Sequence, residues 1–193
     1  MLVERLTESS ISRVYKHLSD DSQCAIISTY RQERSEEENK RLFKELKKSV
    51  KQGGFGYIEF VSRWVEDGES SDEESILIPG CPLKQALIWG KAYDQSSIIF
   101  KDSEGCREIC TEPFETYKPF EVVRVFNNVG PGMLNLNDAK EIFERRKGGP
   151  ASGLKKGDGR AFTLKVQEKL EARPSVFREP SYVTIFEEEY NGN

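Results

Sequence analysis

The chain has 193 residues, with 29 lysines and arginines against 33 aspartates and glutamates and a formal charge of −4. That acidic balance excludes a general nucleic-acid coat, which needs clustered positive charge. A 36% hydrophobic share and a mean hydropathy of −0.63 suffice for one core, and apolar runs of only a few residues exclude a membrane span. The start, Met1-Leu2-Val3-Glu4-Arg5, is charged early and lacks a hydrophobic leader core, so a cytoplasmic chain is expected.

Ser9 to Leu18 has helical period, with Ile11, Val14, Tyr15 and Leu18 as a short stripe that must lean on the main body. Asp20-Asp21-Ser22 breaks it, and Cys24 to Tyr30 reads as a β-branched strand. Ser35-Glu36-Glu37-Glu38 is a capping box with three acids in the first turn, where the helix dipole favours negative charge. Leu42, Phe43, Leu46 and Val50 form the buried stripe of the helix that follows, and Gly53-Gly54 stops it. Lys44, Lys47, Lys48 and Lys51 then read as a solvated, dipole-matched face, with a nucleic-acid face as the alternative.

Phe55 to Val65 reads as a strand, Glu66 to Glu74 as a polar loop, and Ser75 to Pro79 as the next strand. Pro82 suits the first position of a helix that packs Leu83, Ala86, Leu87 and Gly90 and ends near Asp94. Gln95 to Phe100 is a further strand, and Lys101 to Gly105 a turn. Strand, helix, strand, strand, helix, strand is the split βαβ order of a ferredoxin-like α+β core, an antiparallel sheet with two helices on one face. More strands are expected at Cys106–Thr111 and Phe120–Phe126.

Past Asn127 the composition changes. Asn127 to Gly132 is turn chemistry, Asp138 to Arg146 a short helix, and Phe162, Val166 and Leu170 a helix running to Arg173. Tyr182 to Phe186 is a last strand. The expected organisation is an N-terminal helix (1–21), an α+β core (22–126) and a C-terminal helical and strand extension (127–193).

The runs Ala25-Ile-Ile-Ser-Thr-Tyr-Arg31, Ser35…Glu38-Asn39…Arg41…Leu46, Glu74-Ser75-Ile-Leu-Ile-Pro-Gly80 and Ala86-Leu87…Gly90…Tyr93…Gln95-Ser-Ser-Ile-Ile-Phe100 carry a resemblance. Over residues 24–101 the chain resembles a family of small uncharacterised proteins encoded by tailed phages and bacteria. The resemblance implies a phage or phage-like origin and brings no catalytic residues.

Chemistry is thinly supplied. His17 is the only histidine and reads as a helix residue beside the apolar stripe, so no nucleophile–histidine pair is expected. Of the four cysteines, Cys24 reads as a small buried hydrophobe. Cys106 and Cys110 lack the tight spacing and second pair of a zinc site, so no metal or cofactor is expected. Arg31, Arg34, Glu38, Asn39, Arg41 and Glu74 gather near a strand end and a helix start. They read either as an anionic-ligand site or as an Arg–Glu network fixing a loop.

Lys147, Lys155, Lys156 and Arg160 punctuate a segment with five glycines and one proline in fourteen residues, a linker or a site for an acidic surface. The aromatics Tyr57, Phe60, Trp64 and Trp89 read as core, with base stacking as the alternative. The function these features suggest is a non-enzymatic accessory protein that binds a virion or host protein, with no membrane partner. The alternative is a nucleotide- or nucleic-acid-binding enzyme or sensor, with residues 147–160 as a nucleic-acid contact.

Overall fold

A computed structural model describes residues 10–66, 69–113, 116–133, 160–169 and 182–186. The helices are α1 (Ser10–Ser19), α2 (Glu36–Gln52) and α3 (Leu83–Ala92). The strands are β1 (Cys24–Ser28), β2 (Ile58–Glu66), β3 (Glu69–Pro79), β4 (Ser97–Asp102), β5 (Gly105–Cys110), β6 (Val122–Met133), β7 (Arg160–Lys169) and β8 (Tyr182–Phe186). They close into a barrel in the order β1-β3-β2-β8-β7-β6-β5-β4, every pairing antiparallel. Four of them, linked through α2 and α3, lie side by side as β4-β1-β3-β2.

Strand alternation divides the core in two. Cys24 and Ile26 of β1 point to an inner cluster with Ile58, Phe60, Leu77, Ile99, Cys106, Phe126 and Leu164. Val14 and Leu18 of α1 join that cluster, so α1 packs on the inner face. Ala25 and Ile27 point outward, to Phe43, Leu46 and Val50 of α2 and Ala86, Leu87 and Trp89 of α3. β1 is therefore covered on both faces, which is why all five of its residues are buried. Each large side chain removed from water on either face stabilises the fold by roughly 1.5–3 kcal/mol.

The expected capping of α2 is present, with the Ser35 Oγ accepting from the Glu38 N–H at 3.1 Å. The helix ends as Gly54 takes φ +83 and its N–H donates to the Lys51 carbonyl at 3.0 Å. That left-handed step suits glycine. In α3, Pro82 is the N-cap residue rather than the first helical one. Its fixed φ of −67 still leads the chain into the helix.

Gly90 is a close-approach glycine. A Cβ there would lie 2.7 Å from the Ile98 Cγ2 and 2.8 Å from the Thr111 Cγ2. Gly90→Ala is expected to destabilise the protein by about 1–3 kcal/mol, because both neighbours are core side chains with nowhere to retreat. A denaturant midpoint equal to that of the parent protein would show that α3 can shift away from the sheet.

Three expectations are corrected. Most of the stretch expected as a loop is strand: β2 runs to Glu66 and β3 from Glu69, paired with each other, with Arg63 opposite Asp72 and donating to it twice, at 2.7 and 3.1 Å. Cross-strand charge pairing makes this polar run compatible with a strand. Asn127 to Gly132 is not a turn but lies within β6, and the β6–β7 register shifts between Asn128 and Gly130. Such an irregularity is how a ladder accommodates residues that suit turns. Residues 160–169 are strand β7, not the start of a helix. The run Phe162, Leu164, Val166 has period two, and that period prevails over the four-residue spacing of Phe162, Val166 and Leu170. The expected helix at 138–146 lies outside the described residues.

Candidate functional site

The β1–α2 loop does gather arginines. Asn39 sits buried on the first turn of α2 and locks the loop at both ends of one residue. Its Oδ1 accepts from the Arg31 N–H at 3.1 Å, and its Nδ2 donates to the Arg31 carbonyl at 3.0 Å. Arg34 donates to the Thr29 carbonyl at 3.1 Å and forms an ion pair with Asp94 at 2.5 Å. Arg31 binds Glu33 at 2.6 Å and also donates to the Asp94 carbonyl. Gln95 closes the group, donating to the Tyr30 and Tyr93 carbonyls at 3.5 Å.

Asp94 carries φ +56, so the cluster holds the end of α3 in a left-handed step. Its donors are directed at backbone carbonyls, at Glu33 and at Asp94, and this arrangement joins the start of α2 to the end of α3. It is a fastening of two helices rather than an open anion cradle.

The other residues expected there are dispersed. Arg41 pairs with Glu45 one helical turn on, exposed, at 2.6 Å. Glu38 is exposed on the first turn of α2. Glu74 is opposite Val61 on β3, and its carbonyl accepts from the buried Ser28 Oγ at 2.9 Å. Lys147, Lys155 and Lys156 lie outside the described residues. Arg160 opens β7 opposite Met133.

A family model for a protein of unknown function (DUF3293) matches residues 31–98. The matched stretch begins at Arg31 and contains Arg34, Asn39, Asp94 and Gln95. It thus spans the fastening together with α2, β2, β3 and α3. The chain is similar there to an uncharacterised family. No curated protein matches the chain.

The cysteines and aromatics are mostly committed to packing. All four cysteines are free and buried. Burial pushes the Cys24, Cys81 and Cys106 thiols up to about 12, far from thiolate nucleophiles at neutral pH. Among the described residues no group of three or more histidine, cysteine, aspartate or glutamate side chains could hold a metal ion. Nor is any described helix long and apolar enough to cross a membrane. Phe60 and Trp89 are buried, Trp89 edge-on to Phe55 at 5.7 Å. Trp64 packs on the inner cluster, 6.4 Å from Phe126.

Two features escape sequence reasoning. Inside the barrel a polar cluster forms beyond the apolar residues. Glu108 pairs with Arg124 at 3.2 Å, both nearly sealed from solvent, and accepts from the Ser97 Oγ at 2.5 Å. The Arg124 guanidinium lies 5.7 Å from the Trp64 ring. Ser62 and Ser75 share a hydrogen bond of 2.8 Å, and Glu73 is bonded to Ser28. Desolvation raises the Glu73 carboxyl to about 7, offset in part by the Ser28 bond and reinforced by the nearby charges of Glu108 and Asp72.

The second feature is outside, where Lys44, Lys47, Lys48, Lys51, Gln52 and Tyr57 line a shallow groove of about 570 Å³. The lysine spacing of three and four marked one helix face. Only the fold brings Tyr57 to that face.

Proposed function

We propose that this is a non-enzymatic interaction protein that engages a protein partner through the segment joining β5 to β6. The observation that carries the reading is Phe120. It is 72% exposed and adopts φ +73, a conformation that a bulky side chain takes at a cost. The segment holds it there from both sides. The Phe120 N–H donates to the Cys110 carbonyl at 2.9 Å, and the Glu121 N–H to the Lys118 carbonyl at 3.1 Å. Tyr117 is buried with Cys110 and Val123 beneath. A strained backbone that presents an aromatic ring to water fits an interface anchor.

The withdrawn thiols and the engagement of Arg31 and Arg34 with carbonyls and acids of the fold support binding over catalysis. Resemblance over residues 24–101 supports a phage-encoded accessory protein, virion-associated or host-directed, acting in the cytoplasm. The adjacent order β4-β1-β3-β2 supports reading β1 to β4 with α2 and α3 as a ferredoxin-like unit to which the remaining strands were added.

Phe120→Gly tests this. The variant should be as stable as the parent or more so, since glycine relieves the positive φ. It should also lose whatever the parent captures from host lysate or virions. A partner retained at parental affinity by the variant, or a parent protein that captures nothing, would refute the reading.

A further inference from the structure

We propose that the groove on α2 binds single-stranded nucleic acid through its phosphates, independently of Phe120. The four lysines at 44, 47, 48 and 51 lie three and four residues apart, so they share one helix face. Two are already placed by neighbours. Lys47 is bonded to Glu59 at 2.9 Å and lies 4.7 Å from the Phe43 ring centre, and Lys51 lies 5.4 Å from that of Tyr57. Lys44 and Lys48 are exposed, and among the described residues no hydrogen bond or ion pair engages them. With Glu59 beside Lys47, the groove keeps a net positive charge within a chain of formal charge −4.

Its chemistry points to a phosphate chain rather than to a carboxylate. Carboxylates are matched best by the planar fork of arginine, and arginines here do pair with carboxylates: Arg31, Arg34, Arg41, Arg63, Arg107 and Arg124. The groove holds lysines alone, which act as point charges without directional demand. Lys44 to Lys51 spans about 10 Å of helix. Lys44, Lys48 and Lys51, the three groove lysines not paired with a carboxylate among the described residues, can neutralise about three phosphates along that length. Half-buried Tyr57 adds an aromatic face, and Gln52 an amide that can reach base edges. Lysines beside an aromatic platform form the pattern of sequence-tolerant single-strand binding.

The experiment is fluorescence anisotropy with a labelled oligothymidylate of twenty nucleotides, titrated at several salt concentrations. The full chain should bind, with log K falling against log salt at a slope of about −2, from three phosphates at −0.7 each. Lys44→Glu with Lys48→Glu should weaken binding at least tenfold and flatten the slope. Tyr57→Leu should weaken it at least about fivefold by removing the stacking face while keeping the packing. Lys91→Glu, an equal charge reversal placed on α3, should change it less than twofold. Thermal midpoints of the lysine variants should match the parent. The proposal is overturned if the oligonucleotide does not bind. It is equally overturned if polyglutamate of equal charge binds as tightly, if Lys91→Glu weakens binding as much as the double variant does, or if the double variant binds like the parent.

Discussion

Replacing Arg124 by methionine is expected to cost about 3–5 kcal/mol of stability. Glu108 would keep its bond from Ser97 but lose the guanidinium that Arg124 sets against it inside the barrel. A buried carboxylate stripped of its partner costs more than the pair contributed, because the desolvation of the remaining ion is no longer offset. Arg124→Met with Glu108→Gln should recover most of the loss, since it removes the second charge as well. Urea unfolding of the parent, the two single variants and the double variant measures this directly. If the double variant is no more stable than Arg124→Met, the deficit comes from lost packing against Trp64 rather than from the stranded charge.

The second large effect depends on pH. Glu73 titrates at about 7 in the folded protein against an ordinary 4.5, chiefly because burial disfavours its charged form. The folded state therefore holds a proton that the unfolded chain has released. Stability should fall as pH rises from about 4.5 through 7, and the loss should level off above that. At 1.36 kcal/mol per unit, the gap between about 7 and 4.5 amounts to about 3 kcal/mol. Glu73→Gln removes the titration and keeps a polar group of the same size beside Ser28. It should match the parent near pH 4.5 and exceed it by about 3 kcal/mol at pH 8. Parallel stability profiles for parent and variant across that range would show that Glu73 ionises freely. The two effects are linked, since the charge of Glu108 is one of those raising Glu73, and Glu108→Gln should move the Glu73 midpoint down.

Much of the first hundred residues was legible because local signals agreed with the fold. Ser35 and the glutamates after it marked the start of α2, Gly53-Gly54 its end, and Leu83, Ala86, Leu87 and Gly90 the packed side of α3. Legibility failed where a residue's partner is remote in sequence. The charged stretch at the start of β3 looks unfit for a strand until Arg63 is set against Asp72. The inner polar cluster draws on Ser28, Ser62, Glu73, Ser97, Glu108 and Arg124, from six strands, and no spacing along the chain announces it. β7 failed for another reason, since Phe162, Leu164 and Val166 satisfy a strand period while Phe162 and Val166 also satisfy a helical one. At the candidate sites, Arg31, Arg34 and Asn39 were rightly grouped, but the carbonyls that occupy their donors come from the backbone and are silent in a sequence. The lysine stripe was visible and Tyr57 was visible, and what was missing was the turn of chain that sets them side by side.

The closure of the barrel bears on how the chain is made. β2 is synthesised early, yet its second neighbour is β8, with Val61 opposite Phe186. Until residues 182–186 leave the ribosome, the nascent protein carries two raw backbone margins, one along β2 and one along β7. Such margins invite pairing with other chains, and non-local pairings of this kind form slowly. A product cut off before Tyr182 would keep both margins for good, so early termination near the end of the message yields a sticky protein rather than a slightly shorter one.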